Sequence, residues 1–93
     1  MSAKVEVTVP GLLADCLGGN RRGSVEAESI AGAIEAMVKK FPLLKPHIYD
    51  DTGAQRQHVL LFFNGENLAW IKDRNAPVRD GDKLDVIQAV SGG

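Results

Sequence analysis

The sequence predicts an α+β fold in which a mixed β-sheet packs on one main helix. Three stretches predict it. Lys4-Val5-Glu6-Val7-Thr8-Val9 alternates polar and β-branched residues with period two, as a half-buried strand requires. Ile30 to Phe41 carries Ile30, Ala33, Ile34, Met37, Val38 and Phe41 at helical spacing on one face. Lys83 to Gln88 returns to alternation after the turn signal Asp80-Gly81-Asp82. Strands on both sides of a single helix give the class, and the first and last strands are expected to pair side by side beneath it. A length of 93 residues fits one domain with one core.

Val5, Val7 and Val9 are predicted to face the core, and Pro10-Gly11 ends their strand because proline has no N–H for the ladder. Leu12 to Leu17 reads as loop. Gly18-Gly19-Asn20 is a turn signal, and Gly23 to Ala27 a short second strand that forms an edge hairpin with the first. Ser29 is placed to cap the helix, Lys39 and Lys40 suit the negative end of its dipole, and Pro42 stops it. Leu43 to Tyr49 fits a short helical turn interrupted at Pro46, and Asp50 to Gln57 a polar loop. His58 to Phe63 is a strand ended by Asn64-Gly65, after which Leu68 to Ile71 briefly resumes extended structure. No repeat, low-complexity stretch or linker interrupts the chain.

Composition excludes several functions. The net charge of −1 supplies no positive field for nucleic acid or an anionic membrane. No run approaches the ~20 apolar residues of a membrane span, and Met1 to Pro10 lacks the pattern of a signal peptide, so a cytoplasmic protein is expected. The single cysteine, Cys16, permits neither an internal disulfide nor a multi-cysteine zinc site. With no basic residue or histidine beside it, Cys16 reads as an inert, partly buried thiol rather than a persulfide carrier. His47, His58, Asp50 and Asp51 match no metal-ligand spacing, and no serine, histidine and acid arrangement is available, so neither catalytic nor metal residues are assigned. Gly18-Gly19 matches no nucleotide-binding loop.

The chemistry is expected at the chain's end. Residues 1–88 read as the folded domain and 89–93 as a flexible tail, Ala89-Val90-Ser91-Gly92-Gly93. Two residues without Cβ make a thread thin enough for a narrow enzyme channel and leave the terminal carbonyl of Gly93 uncrowded. Near the tail, period two places Leu60 and Phe62 opposite Val59, Leu61 and Phe63, and Ile87 opposite Leu84 and Val86. Leu60, Phe62 and Ile87 are therefore expected to form an outward apolar docking patch, unless loop 43–57 covers them or the strand register is shifted by one.

The order of turn, alternating strand and terminal Ala89-Val90-Ser91-Gly92-Gly93 resembles the ThiS/MoaD family of ubiquitin-like sulfur carriers, and the strand–hairpin–helix opening extends that resemblance over nearly the whole chain. Within the family, Val9-Pro10 followed by Gly18-Gly19, and the strand end at Phe63-Asn64, look most like the CysO-type carriers of cysteine biosynthesis. The resemblance implies a ubiquitin-like β-grasp fold, and a protein co-substrate rather than an enzyme. It implies that an ATP-dependent, ubiquitin-activating-like enzyme adenylates Gly93, with Gly92, Ser91 and Val90 as the threaded tail. Sulfur then displaces AMP to leave a thiocarboxylate. No cofactor is bound by the carrier itself. The implied acceptor is a pyridoxal-phosphate-dependent cysteine synthase, with a C-terminal peptidase to restore Gly92-Gly93. Three other readings stand beside this one: small subunit of molybdopterin synthase, protein modifier ending in an isopeptide bond, and plain interaction module.

Overall fold

The computed structural model describes residues 2–88; the tail beginning at residue 89, with Val90, Ser91, Gly92 and Gly93, lies outside the described residues. Five strands build one sheet: β1 (Ala3–Thr8), β2 (Arg22–Ala27), β3 (Val59–Phe63), β4 (Glu66–Asn67) and β5 (Lys83–Gln88). Their order is β2-β1-β5-β3-β4, with β1 and β5 parallel and all other pairs antiparallel. The first and last strands therefore lie side by side at the centre, as the sequence predicts.

Alternation decides the faces. Val5 and Val7 in β1, Val25 and Ala27 in β2, Val59, Leu61 and Phe63 in β3, and Leu84 and Val86 in β5 are all buried. Helix α1 (Ile30–Lys40) closes this inner face with Ile30, Ala33, Ile34 and Met37. Its last turn is shorter than predicted, since Phe41 leaves helical geometry as the C-cap, half-buried beside the core. The Phe41 ring lies where a Cβ on Gly23 would stand, only 2.7 Å from its tip, so the missing side chain at Gly23 lets the helix end settle on β2.

At the start of α1, three of the orphan N–H groups that every helix exposes find partners in the fold around them. Gly32 N–H donates to the Ser29 hydroxyl at 3.0 Å, while Ile30 and Ala31 N–H groups donate to the carbonyls of Ala76 and Arg74. The cap residue was legible in the sequence; the contribution of the 72–78 loop was not.

Three local expectations need correction. The segment read as loop at 12–17 is a 3-10 helix over Gly11–Leu17, which buries Leu13 and Leu17 and closes on Gly18 in the left-handed region. Pro46 does not interrupt structure, because it occupies the first turn of α2 (Lys45–Ile48), where no intrahelical N–H bond is lost. Leu68 to Ile71 is not extended: β4 ends at Asn67, whose side chain caps a 3-10 turn over Leu68–Trp70.

The turn before β5 joins three strands. Asp80 Oδ1 accepts from Lys4 N–H at 2.8 Å, and Gly81, with φ of 92°, donates to the Lys4 carbonyl at 3.0 Å. Asp82 accepts at one carboxylate oxygen from Asn64 Nδ2 (3.1 Å) and at the other from Arg79 N–H (2.8 Å). Asn64 in turn accepts from Lys83 N–H at 2.8 Å.

Urea unfolding should separate the two supports of β5. Leu84→Ala, which empties a fully buried site, is expected to cost about 2–5 kcal/mol. Asp82→Ala, which removes two bonds to a half-buried carboxylate, is expected to cost about 1–3 kcal/mol.

Candidate functional site: the end of the central strand and its outer face

Strand register builds the outer face row by row. Leu60 stands opposite Ile87. One step along, Phe62 stands opposite Asp85, which neighbours Thr8, which neighbours Arg22. Leu60 and Phe62 are half-buried, and Ile87 is 41% exposed. The three apolar side chains thus share the sheet face turned away from α1, and Ile87 is the most accessible of them. Segment 43–57 is anchored on the core instead, where Leu44 and Ile48 are fully buried, and its polar turn is held by Asp50 Oδ1, which accepts from Thr52 N–H, the Thr52 hydroxyl and Ala54 N–H, at 2.9, 2.5 and 3.2 Å.

The direction of β5 fixes where the chain leaves the sheet. Because β5 runs parallel to β1, both end on the same side. A groove of about 350 Å³ lies there, lined by Pro10 and Arg21 on one side and by Asp85, Ile87 and Gln88 on the other. Residue 88, the last described, opens directly onto this groove and the Leu60–Ile87 pair.

The other candidate groups lie elsewhere. Cys16 packs half-buried on the core from the 3-10 helix, where burial, and then the charge of Asp15, push its thiol pKa up. Its thiolate is thus disfavoured near neutral pH, which weakens it as a nucleophile. His47 and His58 are exposed, and the Asp50 carboxyl is held below its usual range, first by the Thr52 hydroxyl bond, as part of its own turn. Among the described residues no three histidine, cysteine or acidic side chains gather into a metal-binding group, and no helix is long and apolar enough to cross a membrane. Sequence reasoning missed the part played by Arg21 and Pro10. The signal was available in the parallel pairing of the first and last strands, which brings the end of one beside the end of the other.

The sequence signature of the ThiS family matches residues 7–93. The chain belongs to the ThiS family. It is a ThiS/MoaD-type ubiquitin-like sulfur carrier with a β-grasp fold, and carriers of this kind are not themselves catalysts. Among solved structures, SAMP1 from Haloferax volcanii is 26% identical with a TM-score of 0.75, over 98% of this chain and 100% of that one. CysO in the Amycolatopsis orientalis BexX/CysO complex is 22% identical with a TM-score of 0.76, over 96% and 99%. Mycobacterium tuberculosis CysO, described as an antigen, is 20% identical with a TM-score of 0.76, over 92% and 99%. No curated protein sequence matches significantly. At these last two identities the likeness is one of fold, and this ThiS-family chain shares with them the sheet that carries its final strand.

A raised thiol pKa has a direct readout. Alkylation of Cys16 by iodoacetamide near pH 7.5 should run slower than that of free cysteine, and accelerate only at higher pH. Mass spectrometry across a pH series checks this; a rate equal to free cysteine would remove the case for an inert thiol.

Proposed function

We propose that the terminal carboxylate of Gly93 is the group on which this carrier works, and that Leu60, Phe62 and Ile87 dock the enzyme that activates it. A carboxylate is a poor electrophile, so a partner must first couple it to ATP, with loss of pyrophosphate, as an acyl-adenylate. A hydrosulfide equivalent then adds to the carbonyl and AMP leaves, giving a thiocarboxylate. Sulfur held in this form is a better nucleophile than a carboxylate oxygen and stays attached to a protein. A pyridoxal-phosphate-dependent cysteine synthase is the preferred acceptor: its aminoacrylate would take the sulfur, the resulting thioester would rearrange to an amide, and a peptidase would release cysteine. ATP and the pyridoxal group belong to the partners, with no cofactor on the carrier.

The observation that carries this reading is where β5 ends. The last described residue of the central strand lines the open groove beside the apolar pair, so a partner seated on Ile87 stands next to the point from which the chain continues to residue 89. The family match continuing to residue 93 supports the same reading, as does a fold neighbour solved together with BexX. One observation favours a second reading: a structural relative is named small archaeal modifier protein 1, so Gly93 could end instead in an isopeptide bond to lysine.

Deletion of Gly93 should reduce ATP–pyrophosphate exchange with a cognate adenylating enzyme to background, while circular dichroism and melting stay unchanged. Gly92→Val should slow the same exchange, because a β-branched residue thickens and stiffens the thread. Normal exchange by the shortened chain would refute the assignment. With sulfur source and acceptor supplied, a gain of one C-terminal cysteine by mass supports the preferred branch, and a ladder of lysine conjugates supports the modifier.

Docking is tested separately. Ile87→Glu should weaken binding to the adenylating enzyme roughly tenfold or more, since an apolar interface tolerates an unpaired charge poorly. Its melting temperature should barely move, because Ile87 is exposed. Unchanged affinity by calorimetry would place the interface elsewhere.

A further inference from the structure

The sheet order leaves β2 at one edge, and this edge, unlike the two-residue β4, is six residues long. Its hydrogen-bonding phase follows from one bond. Val9 N–H donates to the Arg21 carbonyl at 2.9 Å, so the pair Val9–Arg21 is a bonded one. Stepping by two along the observed register, Gly23, Val25 and Ala27 also turn their backbone groups toward β1. Arg22, Ser24 and Glu26 must then turn theirs outward. The outward direction is visible at Ser24, whose carbonyl accepts from Lys40 Nζ at 2.5 Å. Among the described residues no strand pairs with β2 on this side.

Beside that row of donors and acceptors runs a cleft of about 540 Å³, between β2 and α1. Val25 and Ala36 contribute apolar lining, and Lys39 and Lys40 form the helix side. Lys4 and Glu26 lie together at the far rim, opposite each other in register. Three lysines against one glutamate give the cleft a positive balance.

We propose that β2 and this cleft receive an extended segment of another protein, apolar at alternate positions and flanked by carboxylates, which joins the sheet as a sixth strand. Backbone bonds to Arg22, Ser24 and Glu26 would hold it, alternate side chains would rest on Val25 and Ala36, and its carboxylates would meet Lys39 and Lys40. Lys40 then releases the Ser24 carbonyl to the incoming N–H and takes a carboxylate in exchange. Charge argues against a second copy of this chain as the occupant. Two β2 edges paired antiparallel about Ser24 would bring Lys40 of one copy, which sits on the Ser24 carbonyl, toward Lys40 of the other, and lysine on an edge discourages such self-pairing. The cleft lies where β1 and β5 begin, whereas residue 88 leaves where they end. A segment bound here therefore leaves the Leu60–Ile87 face free. Neither the site nor its test depends on what Gly93 does.

The test is a titration of the intact ¹⁵N-labelled protein with an acetylated Asp-Asp-Val-Ile-Val-Ile-Asp-Asp amide, followed by amide chemical shifts. Saturable shifts at Arg22, Ser24, Glu26 and Lys40, with Leu60, Phe62 and Ile87 unmoved, are expected, together with slowed hydrogen exchange at Ser24 and Glu26. Lys39→Glu with Lys40→Glu should weaken binding roughly tenfold or more. Lys39→Glu alone, at an exposed residue with no hydrogen bond among the described residues, should act in the same direction without touching the fold. The same peptide N-methylated at alternate residues should fail to bind, because it cannot donate to the edge. No saturation by about 1 mM peptide, shifts centred on the outer apolar face, equal binding of the methylated peptide, or dimerisation through β2 without peptide would each overturn the proposal.

Discussion

The position of β5, inserted parallel to β1 and antiparallel to β3, governs the rest of the molecule. Parallel neighbours cannot be joined by a short hairpin, so the chain must travel round the helix before its last strand enters the middle of the sheet. What fixes that entry is the Asp80-Gly81-Asp82 turn, bonded to Lys4 at one side and Asn64 at the other. A slip of one residue there would turn Leu84 and Val86 to solvent and Ile87 inward, reversing core and outer face together. The polar turn thereby decides where every apolar side chain of the strand goes.

That arrangement separates three surfaces. The inner face is consumed by α1. The outer face carries Leu60, Phe62 and Ile87 at the end where β5 leaves the sheet. The edge of β2 and its basic cleft lie at the opposite end, where β5 enters. Contacts on the last two surfaces need not compete, because the width of the sheet and the length of its central strands stand between them.

Much of this was readable from residue order, and the exceptions share a cause. Alternation in Lys4 to Val9 and Lys83 to Gln88, and helical spacing from Ile30 with Ser29 before it, report burial on one face, which local sequence encodes directly. The inward set Val59, Leu61 and Phe63 follows from the same rule. Leu13 and Leu17 were not recognised as core because the 3-10 helix holding them is too short for a periodic signal, although Pro10 before it and Gly18 after it mark its limits. Long-range partners were also hidden: nothing near Ile30 announces that Ala76 and Arg74 will accept from the helix start. For the tail, residue types alone suggest chemistry, since a diglycine is read by what it permits rather than by what it packs against.

Asn64-Gly65 carries a liability in addition to its role as a turn. An asparagine followed by glycine is the sequence most open to succinimide formation, in which the Gly65 backbone nitrogen attacks the Asn64 side-chain carbonyl and ammonia departs. Here that amide is tied at both ends, its nitrogen to Asp82 and its oxygen to Lys83 N–H, so the native state restrains the very group that must rotate. Once the ring did form and open to aspartate, a donor facing the Asp82 carboxylate would become a second negative charge about 3.1 Å away. Chemical ageing of this one residue would therefore loosen the joint that seats the central strand, and the folded protein is its own protection against that clock.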